Sequence, residues 1–205
     1  MTATVQPCTA LRSARQSAPL ICAAALLLAG CGAVHNTIRD GDDERVMLRG
    51  NDAVAYFTEG KPVKGDARFQ SSYEGDTYRF ASEANKRLFD AAPAKYAPAY
   101  AGFCASGAPY ALKANVGANV FTVREGRLYL FGSERSKANW LMDADQNVRA
   151  GDAYWENETK DAPSRLQNWK RYVFRVPHYK TDRQLDAEHF RRFGKLPPGA
   201  PPLGS

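Results

Sequence analysis

Sulfur is where this sequence could do chemistry. A thiolate attacks electrophiles, exchanges with disulfides and binds soft metals, and four cysteines, Cys8, Cys22, Cys31 and Cys104, carry that capacity in 205 residues. Their spacing is uneven, because three fall within the first 31 positions and Cys104 stands alone far downstream. Other chemistry-bearing residues are scattered. His178 and His189 have no Ser or Cys at motif spacing, no Gly-rich phosphate loop follows a strand, and Asp143 and Asp145 read as a solvated pair at a helix end.

The first three cysteines belong to a different kind of segment from the fourth. Residues 11–30 run from a basic stretch (Arg12, Arg15) through an apolar core (Ile21 to Ala29) to small residues, the three-part logic of a signal peptide. The core is shorter than the roughly 20 apolar residues that a permanent transmembrane helix requires. Its end, Leu28-Ala29-Gly30-Cys31, resembles the lipobox of bacterial lipoproteins. That resemblance implies loss of residues 1–30 as a lipoprotein signal peptide and lipidation of Cys31 through a diacylglyceryl thioether. Gly32, where an aspartate commonly marks inner-membrane retention, favours the outer membrane with the domain facing the periplasm. Residues 31–48 are then a lipidated N-terminus and tether in which His35 is a solvated linker residue. With Cys8 and Cys22 discarded and Cys31 acylated, Cys104 is the one free thiol left, and no intramolecular disulfide can form. A lone thiol in an oxidising compartment is either buried and inert or exposed for a reason.

The elements that must position Cys104 follow from patterning. Ala53 to Phe57 reads as a strand or extended entry segment. Ala67–Tyr73 and Thr77–Phe80 flank Glu74-Gly75-Asp76, with Phe69, Tyr73, Tyr78 and Phe80 alternating as a hairpin requires. Ser82 caps a helix to about Ala92, with Leu88 and Phe89 as its apolar stripe, until Pro93 stops it. The run Lys95 to Cys104 reads as a buried irregular loop that delivers Cys104 to the core or to a cleft. A second hairpin, Val120–Arg124 and Arg127–Phe131 around Glu125-Gly126, offers Phe121, Val123, Leu128 and Leu130 to the core. Helices are predicted from Ser133 through Leu141, from Asn147 to Trp155 and from Gln184 to Phe193. Between the last two lies an aromatic-basic segment (Trp169, Tyr172, Phe174), and a Pro/Gly tail from Leu196 is expected to be disordered. The fold class is α+β, small antiparallel hairpins packed with helices.

Composition narrows the partners. Hydrophobic residues make up 44% and charged residues 24%, an ordinary globular mixture. The formal charge of +6 falls to about +4 once Arg12 and Arg15 leave with the leader, too mild and interspersed for a nucleic-acid binder.

Asp52 to Phe57, Gly60 to Gly65, Tyr78 to Ser82, Pro93 to Pro98 and Tyr100 to Ala105 together resemble the YHS domain family, in its exported lipoprotein branch that includes selenoproteins. The resemblance implies a YHS/treble-clef-like core over residues 49–160 and leaves residues 161–205 as a helical C-terminal extension ending in the Pro/Gly tail. Metal-associated members carry thiolates at positions that match Ala55, Ala81 and Asn85 here, so a family-type metal site is not expected. Selenocysteine at the position matching Cys104 in relatives implies a reactive chalcogen, hence a redox thiol or a ligand for copper or another soft metal. From the residues alone, Cys104 is equally a small buried hydrophobe. Lys64 and Arg79 would lend positive charge near it or be plain surface residues; Tyr56, Phe80, Tyr96, Tyr100 and Phe103 read as core, and His189 as exposed on a helix. The expectation is a lipid-anchored periplasmic binding or sensing module that is not an enzyme. Its partners would be the membrane through the anchor and a small molecule, a metal or an envelope protein. The alternative is a non-catalytic lipoprotein with Cys104 structural.

Overall fold

The computed structural model describes residues 33–203, so the leader and Cys31 lie outside the described residues. The chain opens with a tight antiparallel pair, β1 (Ile38–Asp40) and β2 (Asp43–Val46), turned at Gly41. This is the stretch read as a tether, and it is folded. Ala33 O accepts from Ser164 N, Asn36 is buried, and His35 Nδ1 stands 2.5 Å from the buried Asp76 carboxylate, which also takes Arg45 Nε at 2.8 Å. The segment is polar because its side chains serve buried partners, a pattern that composition cannot distinguish from solvation.

A short helix, α1 (Ala55–Thr58), replaces the expected strand after Asp52. The cause is local: Asp52 Oδ1 accepts from Val54 N at 2.8 Å and Ala55 N at 3.3 Å, an Asx turn that bends the apolar run into a helical turn. The first predicted hairpin forms as β3 (Asp66–Tyr73) and β4 (Asp76–Phe80) across a two-residue turn with Glu74 and Gly75 at positive φ. Valine 46 joins Thr77 in parallel, giving a four-stranded sheet in the order β1-β2-β4-β3. Helix α2 (Glu83–Ala91) starts where Ser82 accepts from Asn85 N at 3.1 Å. Its Phe89 is fully buried against Tyr73, Tyr78 and Phe80, a burial that contributes about 2–3 kcal/mol. Leu88, also assigned to the stripe, faces solvent. Pro93 does not merely stop the chain; it begins the single turn α3 (Pro93–Tyr96).

The second hairpin, β5 (Phe121–Arg124) and β6 (Arg127–Leu130), is in register as read, and β6 is buried on both faces by Leu128, Tyr129 and Leu130. Val123 is the exception among its expected core residues, being exposed near the turn. Helix α4 (Glu134–Leu141) carries a Ser133/Ser136 capping box. Helix α5 (Ala144–Tyr154) starts three residues before Asn147 and widens into a five-residue turn, Trp155–Thr159. Gly151 in α5 is where the backbone meets Tyr100: a Cβ there would stand 2.6 Å from the Tyr100 hydroxyl. The last helices are α6 (Ser164–Val173) and α7 (Asp182–Phe193), the latter capped by Thr181. Pro197, in the tail expected to be disordered, is buried, and Ala200 N donates to its carbonyl. With seven α-helices and two small sheets among the described residues, the fold is α+β.

Candidate functional site

Cys104 is delivered by a strained loop. Tyr100 and Ala101 sit at positive φ, and Gly102 follows at φ +78° with Met47 Sδ 3.1 Å from where its Cβ would be, so no other residue fits there without strain. Asn36 clamps this loop, its amide donating to Gly102 O at 2.7 Å and Val116 O at 3.0 Å while its N–H donates to Ala101 O. Beyond it, Cys104 N donates to Ala114 O at 3.0 Å and Ala105 N to Leu130 O at 2.8 Å, which fastens the loop against β6.

Both readings of that loop hold, for Cys104 is 5% exposed and belongs to the core, yet it also lines a cavity of about 470 Å³. Its Sγ lies 3.1 Å from Ser106 Oγ. The cavity walls come from the loop after Cys104 (Ser106, Tyr110), from α4 (Asn139, Trp140) and from the segment before α7 (His178, Tyr179). Two of the lining residues each carry a buried polar atom with no hydrogen-bond partner in the protein: Trp140 Nε1, a donor, and Asn139 Oδ1, an acceptor. Each forgoes water without compensation, which costs about 1–3 kcal/mol per group.

The tertiary structure therefore brings Cys104 and His178 to one cavity, which their separation in sequence did not suggest. No hydrogen bond joins them, and His178 Nε2 is committed to Pro109 O at 2.7 Å between the rings of Tyr110 and Tyr154. His189 is buried rather than exposed, bonded to Lys195 O and packed on Phe193. Lys64 and Arg79 do not serve the thiol: Lys64 donates to Arg49 O, and Arg79 pairs with Asp40 and Asp43. Asp143 and Asp145 separate, the first to Arg192 and the second to Arg124, so they form no carboxylate pair. Tyr56, Phe80, Tyr96, Tyr100 and Phe103 are all core.

Two residues that sequence reasoning missed hold the site together. Lys113 is buried beneath Cys104's loop, its ammonium donating to the carbonyls of Thr159 (2.9 Å), Lys160 (3.2 Å) and Ala162 (2.8 Å) and standing over the rings of Phe103 and Trp155. A lysine in the small apolar run Tyr110 to Ala114 was the available signal. Asp52 is the other. Its Oδ2 accepts from Ala81 N at 2.8 Å and from the Asn85 amide at 2.7 Å, while Oδ1 takes the N–H of Ala55. The three positions matched to metal thiolates thus surround one buried carboxylate, with hydrogen bonds where metal–sulfur bonds would be. The donors present do not fit a soft metal there, and among the described residues no group of three or more His, Cys, Asp or Glu side chains is arranged to hold an ion.

Residues 54–100 match the YHS domain family, and the chain carries a YHS domain over that stretch. Metal-related binding is what such a domain suggests, on a framework that here lacks the thiolates. No curated protein and no solved structure matches the chain.

Proposed function

We propose that this is a lipid-anchored YHS module of the bacterial envelope, held at the periplasmic face of the outer membrane through Cys31, which binds a small, partly apolar ligand beside the Cys104 thiol. The observation that carries the binding reading is the cavity: Cys104, Ser106, Asn139, Trp140 and His178 line one hollow of mixed apolar and polar surface. Such convergence of a few polar groups on an apolar hollow is what small-molecule sites are made of. The anchor reading is supported by the leader and lipobox residues. A redox role belongs to the same thiol: a peroxide oxygen accepted by the Cys104 thiolate would leave a sulfenic acid and release water or an alcohol.

The buried-thiol alternative draws on the low exposure of Cys104. Labelling separates the two. A small neutral thiol reagent should modify Cys104 in the folded protein, slowly, and Trp140→Phe should enlarge the cavity and speed that modification. A Cys104 that reacts only after unfolding, at every reagent size, overturns the binding and redox reading together.

A further inference from the structure

Helix α6 is inside out. Its inward side is polar: the Gln167 amide donates to Ala111 O (2.8 Å) and Glu158 Oε1 (2.7 Å), Asn168 brackets the backbone of Lys113, and Arg171 pairs with Glu158. Its outward side is apolar, with Leu166, Trp169, Tyr172 and Val173 exposed at 45%, 63%, 68% and 54%, and Phe174 following at the C-cap. A helix on a water-facing surface arranges these the other way, so the outward face calls for a covering.

We propose that this face lies in the headgroup region of the bilayer that holds the anchor, and the inference rests on acylation of Cys31. Reach is the first argument. Ser164, the first residue of α6, donates its N–H to Ala33 O at 3.0 Å. Only two residue steps separate Ala33 from Cys31, about 7 Å of chain at full extension, so a diacylglyceryl thioether there leaves almost no free linker between bilayer and helix. Composition is the second. Tryptophan and tyrosine concentrate at membrane interfaces, where the ring is buried and its polar tip stays wet. Charge is the third: Arg165 and Arg175 are exposed at the two ends of the face and form no ion pair among the described residues, Arg175 lying over the Tyr179 ring, so both charges are free for lipid phosphates. A ten-residue helix about 15 Å long, lying flat, would bury this side roughly 5–10 Å into the interface.

Brominated acyl chains quench an indole only when it enters the bilayer. The full chain, processed and acylated in a bacterial host, is reconstituted in phosphatidylethanolamine and phosphatidylglycerol vesicles with and without bromine. Trp140 is buried in the fold and Trp155 is partly buried, so bromine quenching should fall on Trp169, and the W169F variant should show no bromine-dependent loss. Anchored protein that floats with the vesicles yet leaves Trp169 unquenched overturns the docking alone. So does a self-associated form in which Trp169 is shielded by a second copy. Failure to float, with an intact mass lacking acyl groups on Cys31, overturns the anchor reading and the docking with it.

Discussion

At the scale of single residues, two buried polar side chains tie the centre of the domain together. Asp52 gathers α1, the end of β4 and the start of α2 on one carboxylate. Hydrogen bonds to an ionised group are worth more than neutral ones, so Asp52→Ala should lower unfolding free energy by about 2–4 kcal/mol in urea titrations, and Asp52→Asn by less. Lys113 tests the opposite sign of charge. Burial pushes its pKa from 10.5 down to about 8, with Asp161 offsetting only part of that. Between those values the unfolded chain binds more protons than the folded one, so the stability contributed by the neutral amine is present at high pH and lost as pH falls through about 8. Stability should therefore climb by about 1–2 kcal/mol from pH 8 to near 10, and Lys113→Met should flatten the rise. Above that the trend reverses, because unfolded tyrosines ionise at 10 while burial holds Tyr56 up to about 12. Asp52 was legible as the first residue of a family segment, but its role was not: sequence shows a carboxylate, never the donors that converge on it.

Elements tell a similar story about local and distant causes. Ser82 and Ser133 each stand where a helix begins, and the two hairpins turn at Glu-Gly pairs that tolerate positive φ; all of this is short-range chemistry and reads directly from the chain, whereas the last helix starts at its Thr181 cap, three residues before Gln184 where the pattern placed it. Misreadings came where a long-range partner ruled. Ala53 to Phe57 has strand composition, yet the Asp52 turn coils it. Helix α7 is the clearest case, since its hold on the domain is the buried Asp186, which takes Arg135 Nε at 3.0 Å and the Asn139 amide at 2.9 Å from α4. Burial raises the Asp186 pKa, but the bonds from Arg135 and Asn139 outweigh it and hold the carboxyl below its usual range. Its stabilisation is present above the unfolded value of 3.8 and lost as pH falls through the lower folded one. Arg135→Ala, which strands that charge, should cost about 3 kcal/mol at neutral pH and much less in strong acid, read by thermal unfolding across pH.

For the molecule as a whole, the parts that sequence assigned to the periphery complete the centre. Residues 33–48 supply half of the main sheet and the Asn36 clamp on the Cys104 loop. The extension beyond residue 160 closes the cavity with His178 and Tyr179, and Asn168 brackets Lys113. A soluble, water-surrounded version of this arrangement would leave the apolar side of α6 uncovered, which is the feature that ties fold to membrane in the proposed reading.

The sequence by itself determined the α+β class, the YHS segment, both central hairpins, the starts of α2 and α4 and the singular position of Cys104, because each depends on residues within a turn or two of one another or on a contiguous motif. Tertiary structure alone decided that Cys104 faces a cavity shared with His178 and Trp140, that Asp52 occupies the centre of the absent thiolates, and that α6 turns its apolar side outward. Those facts depend on which groups meet across long stretches of chain, 29 residues for Asp52 and Ala81 and 55 for Lys113 and Asn168, and periodicity carries no record of such meetings.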